Sequence, residues 1–396
     1  MSKLLFLVAD GMAGWPIDSL GGRTTLQAAQ TPTMDYLARR GTCGRCRTVP
    51  VGMHPGSDVA NMSLLGYDPQ THHTGRGPIE AAAQGLELDP DDLVWRMNLV
   101  NVSALSDQGR MLDYSSGHIG TPVAAPLVAE LARLAAGSPF VPVQGIQYRH
   151  LLVHKGGART SAAGLAIRPP HDILDQPIAQ DLEAFATIPD LERFIRAAHA
   201  FLHADPTSQA NSVWPWGQGR PLTLPPFAER FGRIGAVVSA VDLVRGLGRA
   251  AGMAVLDVPG ATGLIDTNYE GKVRAALDFL DHGDFVYVHV EAPDECGHMG
   301  DPDLKKRAIE LFDQRIAAPV LAALKDSDAT IVVTCDHFTP IARRTHTEDP
   351  VPFAVYRTRA PRTGGPAAFD EDTASSTGLF LDSGQELLPF CLGDRT

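Results

Sequence analysis

The chain is poor in cysteine, has no long apolar run, carries no excess of basic charge and contains no repeated or low-complexity tract. Each absence removes a class of protein. Five cysteines in 396 residues (Cys43, Cys46, Cys296, Cys335 and Cys391) are too few, and odd in number, for a disulfide framework, so a reducing cytoplasm is the expected compartment. Cys43-Gly44-Arg45-Cys46 lacks a second Cys or His pair at zinc-site spacing and reads as two buried thiols. The apolar stretch at residues 4–8 stops before Asp10, too short for a signal-peptide core or a membrane span, and no other uncharged stretch approaches membrane length. A net charge of -12 argues against nucleic-acid and anionic-membrane partners. An anionic substrate stays open, because clustered Arg or bound cations reverse the field inside a cleft.

What is present is an ordinary globular balance, 44% hydrophobic and 20% charged. Short β-branched runs at residues 4–8, 236–239, 285–290 and 331–334 have the continuous apolarity of buried parallel strands. Helical patterns lie between them. Val273, Leu277 and Leu280 share one face, and a long stripe follows Asp301-Pro302 through Leu304, Ala308, Leu311, Phe312, Ile316, Val320 and Leu324. This alternation predicts a doubly wound α/β core. From about residue 70 to 225 the chain turns rich in Pro, Gly, Ala and Arg. It shows one clear helix, 121–134, one strand, 148–153, and a Pro-rich stretch, 214–226, that reads as the connection back to the core. The expected organisation is a discontinuous core, 1–69 and 226–396, interrupted by an inserted α+β domain, 70–225.

In open α/β sheets ligands bind beyond the carboxyl ends of the strands. There this chain places Asp10, then Glu291, Asp294 and His298, then Asp336 and His337, with His346 beyond. Singly, each has an ordinary reading as a cap, a turn residue or a surface pair. Together, after successive strands, carboxylates and imidazoles are donors suited to divalent cations. Ser57 lies in Pro55-Gly56-Ser57-Asp58, where Val59, Met62 and Leu65 begin a helix. Alone it would be a simple N-cap; beside a cation its hydroxyl becomes a nucleophile, and a helix N-terminus favours phosphate. Arg76, Arg96, Arg149 with His150, and Arg220 are candidates to clamp an anion. His118 reads equally as a substrate contact or a loop residue.

The order Asp10, Gly56-Ser57-Asp58, Asp294-x-x-x-His298, Asp336-His337 and His346 resembles the alkaline phosphatase superfamily. Within it, the segments Thr74-Gly75-Arg76-Gly77-Pro78-Ile79-Glu80-Ala81, Tyr148-Arg149-His150, Gly260-Ala261-Thr262-Gly263, Asp266-Thr267-Asn268-Tyr269 and Thr345-His346-Thr347-Glu348-Asp349-Pro350-Val351-Pro352-Phe353 are similar to the archaeal-type cofactor-independent phosphoglycerate mutases. The resemblance covers nearly the whole chain. It implies an alkaline-phosphatase-like core with an inserted lid, and two divalent ions, manganese first, with zinc, magnesium or cobalt as alternatives. One ion would be held by Asp294, His298 and His346, the other by Asp10, Ser57, Asp336 and His337. It also implies interconversion of 3-phosphoglycerate and 2-phosphoglycerate in glycolysis through a phosphoserine, without bisphosphoglycerate. The partner would be that small phosphorylated substrate, and the protein a monomer or small homo-oligomer. Trp214-Pro215-Trp216-Gly217-Gln218-Gly219-Arg220 departs from the pattern, which has an Arg-Gly-x-Gly stretch there. It is similar to a bacterial branch for which homoserine phosphorylation has been proposed. A homoserine-kinase-like phosphotransferase and a metal-dependent phosphatase are therefore the alternatives.

Overall fold

The computed structural model describes residues 2–393. Strands in chain order are β1 (Lys3–Ala9), β2 (Thr42–Cys46), β3 (Leu93–Val102), β4 (Met111–Asp113), β5 (Phe140–Ile146), β6 (Arg149–His154), β7 (Ser212–Gly219), β8 (Gly235–Val238), β9 (Ala254–Val255), β10 (Phe285–Val290), β11 (Ala329–Thr334), β12 (Val351–Arg357) and β13 (Phe380–Leu381). The helices that matter below are α1 (Pro32–Arg40), α2 (Ser57–Leu64), α3 (Arg76–Gln84), α4 (Tyr269–Phe279), α5 (Ala292–Met299) and α6 (Pro302–Phe312). Among the described residues no helix is long and apolar enough to cross a membrane.

The chain divides into two compact units, one formed by Thr74–Leu222 and the other by the segments on either side of it. The breaks follow His73 and Leu222, a few residues from the 69/70 and 225/226 boundaries read from composition. The four-residue helix Pro69–His72 ends just before the first break.

The larger unit holds an eight-stranded sheet in the order β13-β2-β12-β11-β1-β10-β8-β9. Its centre is parallel, β11-β1-β10-β8, and β12 runs antiparallel to both β11 and β2. Every residue of β8, β10 and β11 is buried, so neither face of these largely apolar strands meets solvent, as a sheet covered on both sides requires. Because β1, β10 and β11 are parallel neighbours, their carboxyl ends lie along one edge, and Asp10, Glu291 and Asp336 follow them there. Asp301 caps α6 by accepting from Leu304 N–H, with Pro302 at the first helical position. The stripe beyond is not one regular helix: a π turn, Asp313–Ala317, divides α6 from the helix Ala318–Leu324. Cys43 and Cys46 are buried thiols of β2, and Cys46 Sγ donates to Ser383 O at 3.8 Å.

The Thr74–Leu222 unit is built on a five-stranded sheet, β4-β3-β6-β5 with β7 on β3. All its ladders are antiparallel. The helices Thr121–Leu134 and Pro189–Ala204 pack on it against β5 and β7. One expectation is corrected here. The stretch 214–226 is a connection only in its second part, because residues 212–219 form β7, paired with β3 from Ser212 to Gly219, and only 220–226 lie outside strands and helices. Among the described residues β7 has a partner on one side only, so Pro215 can sit in the ladder without leaving a central strand short of a donor.

Candidate metal and phosphoryl-transfer site

Ser57 occupies the first turn of α2, not the cap: Gly56 takes the N-cap position and makes no side-chain cap. That frees the Ser57 hydroxyl, which lies 3.2 Å from His337 Nε2. The same nitrogen is 3.4 Å from Asp10 Oδ1 and 3.5 Å from Asp336 Oδ2. Ser57, Asp10, Asp336 and His337 are thus gathered around one point at the ends of β1 and β11. Burial lowers the His337 pKa to about 4, which keeps the ring neutral and its lone pair available.

Asp294 and His298 are both on α5 and project to one side, with His298 Nε2 3.1 Å from Asp294 Oδ2. His346 Nε2 lies 3.5 Å from Asp294 Oδ1 and 3.0 Å from His298 Nε2. Two imidazole nitrogens that close, over one carboxylate, require a proton or a cation to hold them together. Burial raises the Asp294 pKa, but hydrogen bonding to His298 and His346 prevails, and it falls well below the usual carboxylate range. Hydrogen bonding to Asp294 raises His298 to about 9. Thr339 Oγ1 donates to Asp294 Oδ1 and lies 3.2 Å from His337 Nδ1. The His337 and His346 rings lie with centroids 4.0 Å apart at an interplanar angle of 35°, so the two groups of ligands adjoin.

The donors fit divalent cations. Asp10 is buried, and neither of its carboxylate oxygens has a hydrogen-bond partner among the described residues. Burial and the neighbouring Asp336 raise its pKa well above normal, an unfavourable state that a bound cation reverses. By proximity alone the donors group as Asp294, His337 and His346, and as Asp10, His289 and Asp336.

Sequence reasoning missed several residues of the site. His289 lies inside β10, fully buried, with Nε2 3.1 Å from Asp10 Oδ2. Asn61, four residues after Ser57 on α2, donates to Ser57 O and to Asp336 Oδ2, both at 2.8 Å. Two buried lysines act as struts. Lys305 donates to Ala13 O and Thr339 O, and Lys272 to His289 O. Each reads as core from its neighbours; only the i, i+4 spacing of Ser57 and Asn61 was a usable signal.

The Thr74–Leu222 unit holds a second cluster. Arg96 on β3 is buried, with Nε 3.0 Å from Glu80 Oε1 on α3 and its guanidinium 4.5 Å above the Trp216 ring. Trp216 Nε1 donates to Asn98 Oδ1. Burial lowers the Arg96 pKa, Glu80 opposes that, and Arg76 and Arg149 lower it further. Three guanidiniums therefore act on one another with Glu80 as the carboxylate among them, an anion-seeking arrangement. Arg220 lies apart in its bonding, donating to Ala158 O. His150 does not join this cluster. Strand alternation turns it to the other face from Arg149, where it is buried and accepts from Gly145 N–H. His118 ends the sequence Ser116, Gly117, His118, three residues in left-handed conformation. Its ring packs edge-on against Tyr114 and Tyr148. Asp113 fixes this turn by accepting from Ser115 and Gly117 N–H.

A serine on a helix N-terminus beside two carboxylate–imidazole groups, at the carboxyl edge of a parallel sheet, is an arrangement suited to phosphoryl transfer in an α/β protein. The comparisons narrow this. A family model described as 2,3-bisphosphoglycerate-independent phosphoglycerate mutase matches residues 38–208. The chain is 46% identical over 399 residues to the 2,3-bisphosphoglycerate-independent phosphoglycerate mutase of Methanosarcina barkeri, with 98% of each covered. It is 44% identical over 400 residues to a probable mutase of the same name from Geobacter sulfurreducens, covering 98% of this chain and 99% of the relative. Among solved structures, a cofactor-independent phosphoglycerate mutase from Thermoplasma acidophilum superposes with a TM-score of 0.66 at 27% identity, 99% of both chains being covered. A protein from Pyrococcus horikoshii superposes with a TM-score of 0.82 at 28% identity, covering 99% of this chain and 97% of that one. The chain belongs to the family of 2,3-bisphosphoglycerate-independent phosphoglycerate mutases, which are isomerases.

Proposed function

We propose that this protein interconverts 3-phosphoglycerate and 2-phosphoglycerate by passing the phosphoryl group through Ser57, with no bisphosphoglycerate. The carrying observation is the Ser57 hydroxyl, released from capping and set 3.2 Å from His337 Nε2 among Asp10 and Asp336. Family membership supports the substrate. Asp10, Asp336, His337 and Ser57 would hold one divalent cation, and Asp294, His298 and His346 a second, manganese being the expected ion. Such a pair supplies positive charge to the attacking and leaving oxygens of an in-line displacement.

Ser57 Oγ loses its proton and bonds to phosphorus as the bond from phosphorus to the 3-oxygen breaks. That oxygen takes up a proton, leaving glycerate. The 2-hydroxyl then gives up its proton and bonds to phosphorus, the Ser57 Oγ–phosphorus bond breaks, and the serine is restored. First-turn N–H groups of α2 favour the phosphoryl group on Ser57. Arg76, Arg96 and Arg149 are assigned to the anionic substrate, with Trp216 and Glu80 fixing the Arg96 plane. Glycerate must stay bound and water stay out between the two transfers, or the phosphoserine is hydrolysed.

The test is an enolase-coupled assay with manganese and without bisphosphoglycerate. Turnover of roughly 1–1,000 per second is expected, with Ser57→Ala falling to background while still binding metal. Near-normal turnover in Ser57→Ala would overturn the phosphoserine route. Sustained phosphate release, or phosphorylation of homoserine in place of mutase turnover, would overturn the substrate assignment.

A further inference from the structure

Asp336 is firmly held. Its Oδ1 accepts from Gly11 N–H at 3.1 Å and its own neighbour His337 N–H at 3.0 Å, and its Oδ2 accepts from Asn61 Nδ2 at 2.8 Å. Asn61 is in turn fixed by Tyr287, whose hydroxyl donates to Asn61 Oδ1 at 2.6 Å. Asp10 has no comparable support: among the described residues no backbone N–H donates to its carboxylate. Its two oxygens instead meet two different imidazoles, Oδ1 facing His337 Nε2 at 3.4 Å and Oδ2 facing His289 Nε2 at 3.1 Å.

His289 stands two residues beyond Tyr287 on β10, on the same face of the strand. Its Nδ1 lies 3.3 Å from Ser239 Oγ, just past the end of β8. Ser239 Oγ already accepts from Val241 N–H at 3.0 Å, so its own proton is free to be donated into Nδ1. With Ser239 donating in that way the ring proton lies on Nε2, which stands 3.1 Å from Asp10 Oδ2 and has no hydrogen-bond partner of its own among the described residues. Lys272 anchors the residue from the main chain by donating to His289 O at 2.9 Å.

We infer that His289 is a positioning residue for the inner cation site: by holding Asp10 Oδ2 it leaves Oδ1 as the ligating oxygen toward Ser57 and His337. β10 thus supports both carboxylates of that site from one face, Asp336 through Tyr287 and Asn61, and Asp10 through His289. The inference rests on the two-cation reading above. Outer partners of ligating carboxylates and histidines are worth about 10–100-fold in metal affinity.

The test is calorimetric titration of the full metal-free chain with Mn2+, alongside the electron-spin spectrum of the loaded protein. In wild type two ions bind and their spins couple. In His289→Leu one ion is expected to bind about 10–100-fold more weakly, the other with unchanged affinity, and the coupled signal to disappear at limiting metal. His289→Gln, whose amide donates toward Oδ2, should recover most of the loss; Ser239→Ala should show a smaller loss. Unchanged affinity for both ions in folded His289→Leu overturns the inference while leaving the two-cation reading intact. So does a loss in His289→Gln as complete as in His289→Leu, since the imidazole would then be a direct ligand. If the His289 variants do not fold, unchanged affinities in Ser239→Ala overturn it. A wild type that binds no pair of ions removes the reading beneath it.

Discussion

Gly11 shows how little freedom the site leaves a single residue. It follows Asp10 at φ +58°, and a methyl group added to it would collide with Asp294 Oδ1 and Thr339 Oγ1. Gly11→Ala should cost roughly 1–2 kcal/mol in backbone strain and push Asp294 out of place, lowering metal affinity by about 10–100-fold. Titration of the variant with Mn2+, with melting in chelator as the fold control, checks this. His150 supplies a pH prediction. Burial lowers its pKa from 6.5 to about 4, so its contribution to stability is complete above pH 6.5 and is lost as pH falls toward 4. The expected loss is roughly 3 kcal/mol across that window. His150→Asn keeps an acceptor for Gly145 N–H but does not titrate, and should flatten this part of the profile in denaturant unfolding followed against pH.

Among the elements, the π turn at Asp313–Ala317 has a purpose that periodicity conceals. The buried Asp313 carboxylate accepts from Met34 N–H at 2.7 Å and Thr33 N–H at 3.2 Å, capping α1 from another part of the chain where Thr31 provides no side-chain cap. Asp313→Ala should destabilise the protein by roughly 2 kcal/mol, the cost of leaving two such donors unmet. Chemical denaturation with unchanged slope would confirm it, and metal affinity should stay at its wild-type value. β7 carries a similar lesson. Prolines in the stretch 214–226 suggested a connection, yet pairing of its first part with β3 brings Trp216 over Arg96. An edge position tolerates the proline that sequence rules count against a strand.

For the whole molecule, cation binding at this site would be linked to folding. A cation bound by the native state alone stabilises it by about 2.7 kcal/mol at a concentration 100 times its Kd. Chelation should therefore abolish mutase turnover and lower the melting midpoint by roughly 5–10 °C. Manganese should restore both, and more fully than magnesium, since the imidazole donors suit manganese better. Full activity after exhaustive metal removal would exclude the cluster as the catalytic device.

The metal-site candidates were legible because polar ligands at the ends of apolar strands stand out: Asp10, Asp294, Asp336 and His337 interrupt or follow runs with no other reason to stop. The α/β core was legible for the same reason, since a strand buried on both faces must be continuously apolar. His289 was not. Inside Phe285–Val290 it reads as one more core position, and only the pairing of β1 with β10 sets it against Asp10. Nor could spacing separate Arg149 from His150, because the turn of a strand decides which of two neighbours meets solvent. Residue type and the apolar pattern of each strand are local properties, and the chain determines them directly. Which oxygen meets which imidazole depends on segments hundreds of residues apart meeting within about 3 Å, and that only the tertiary structure decided.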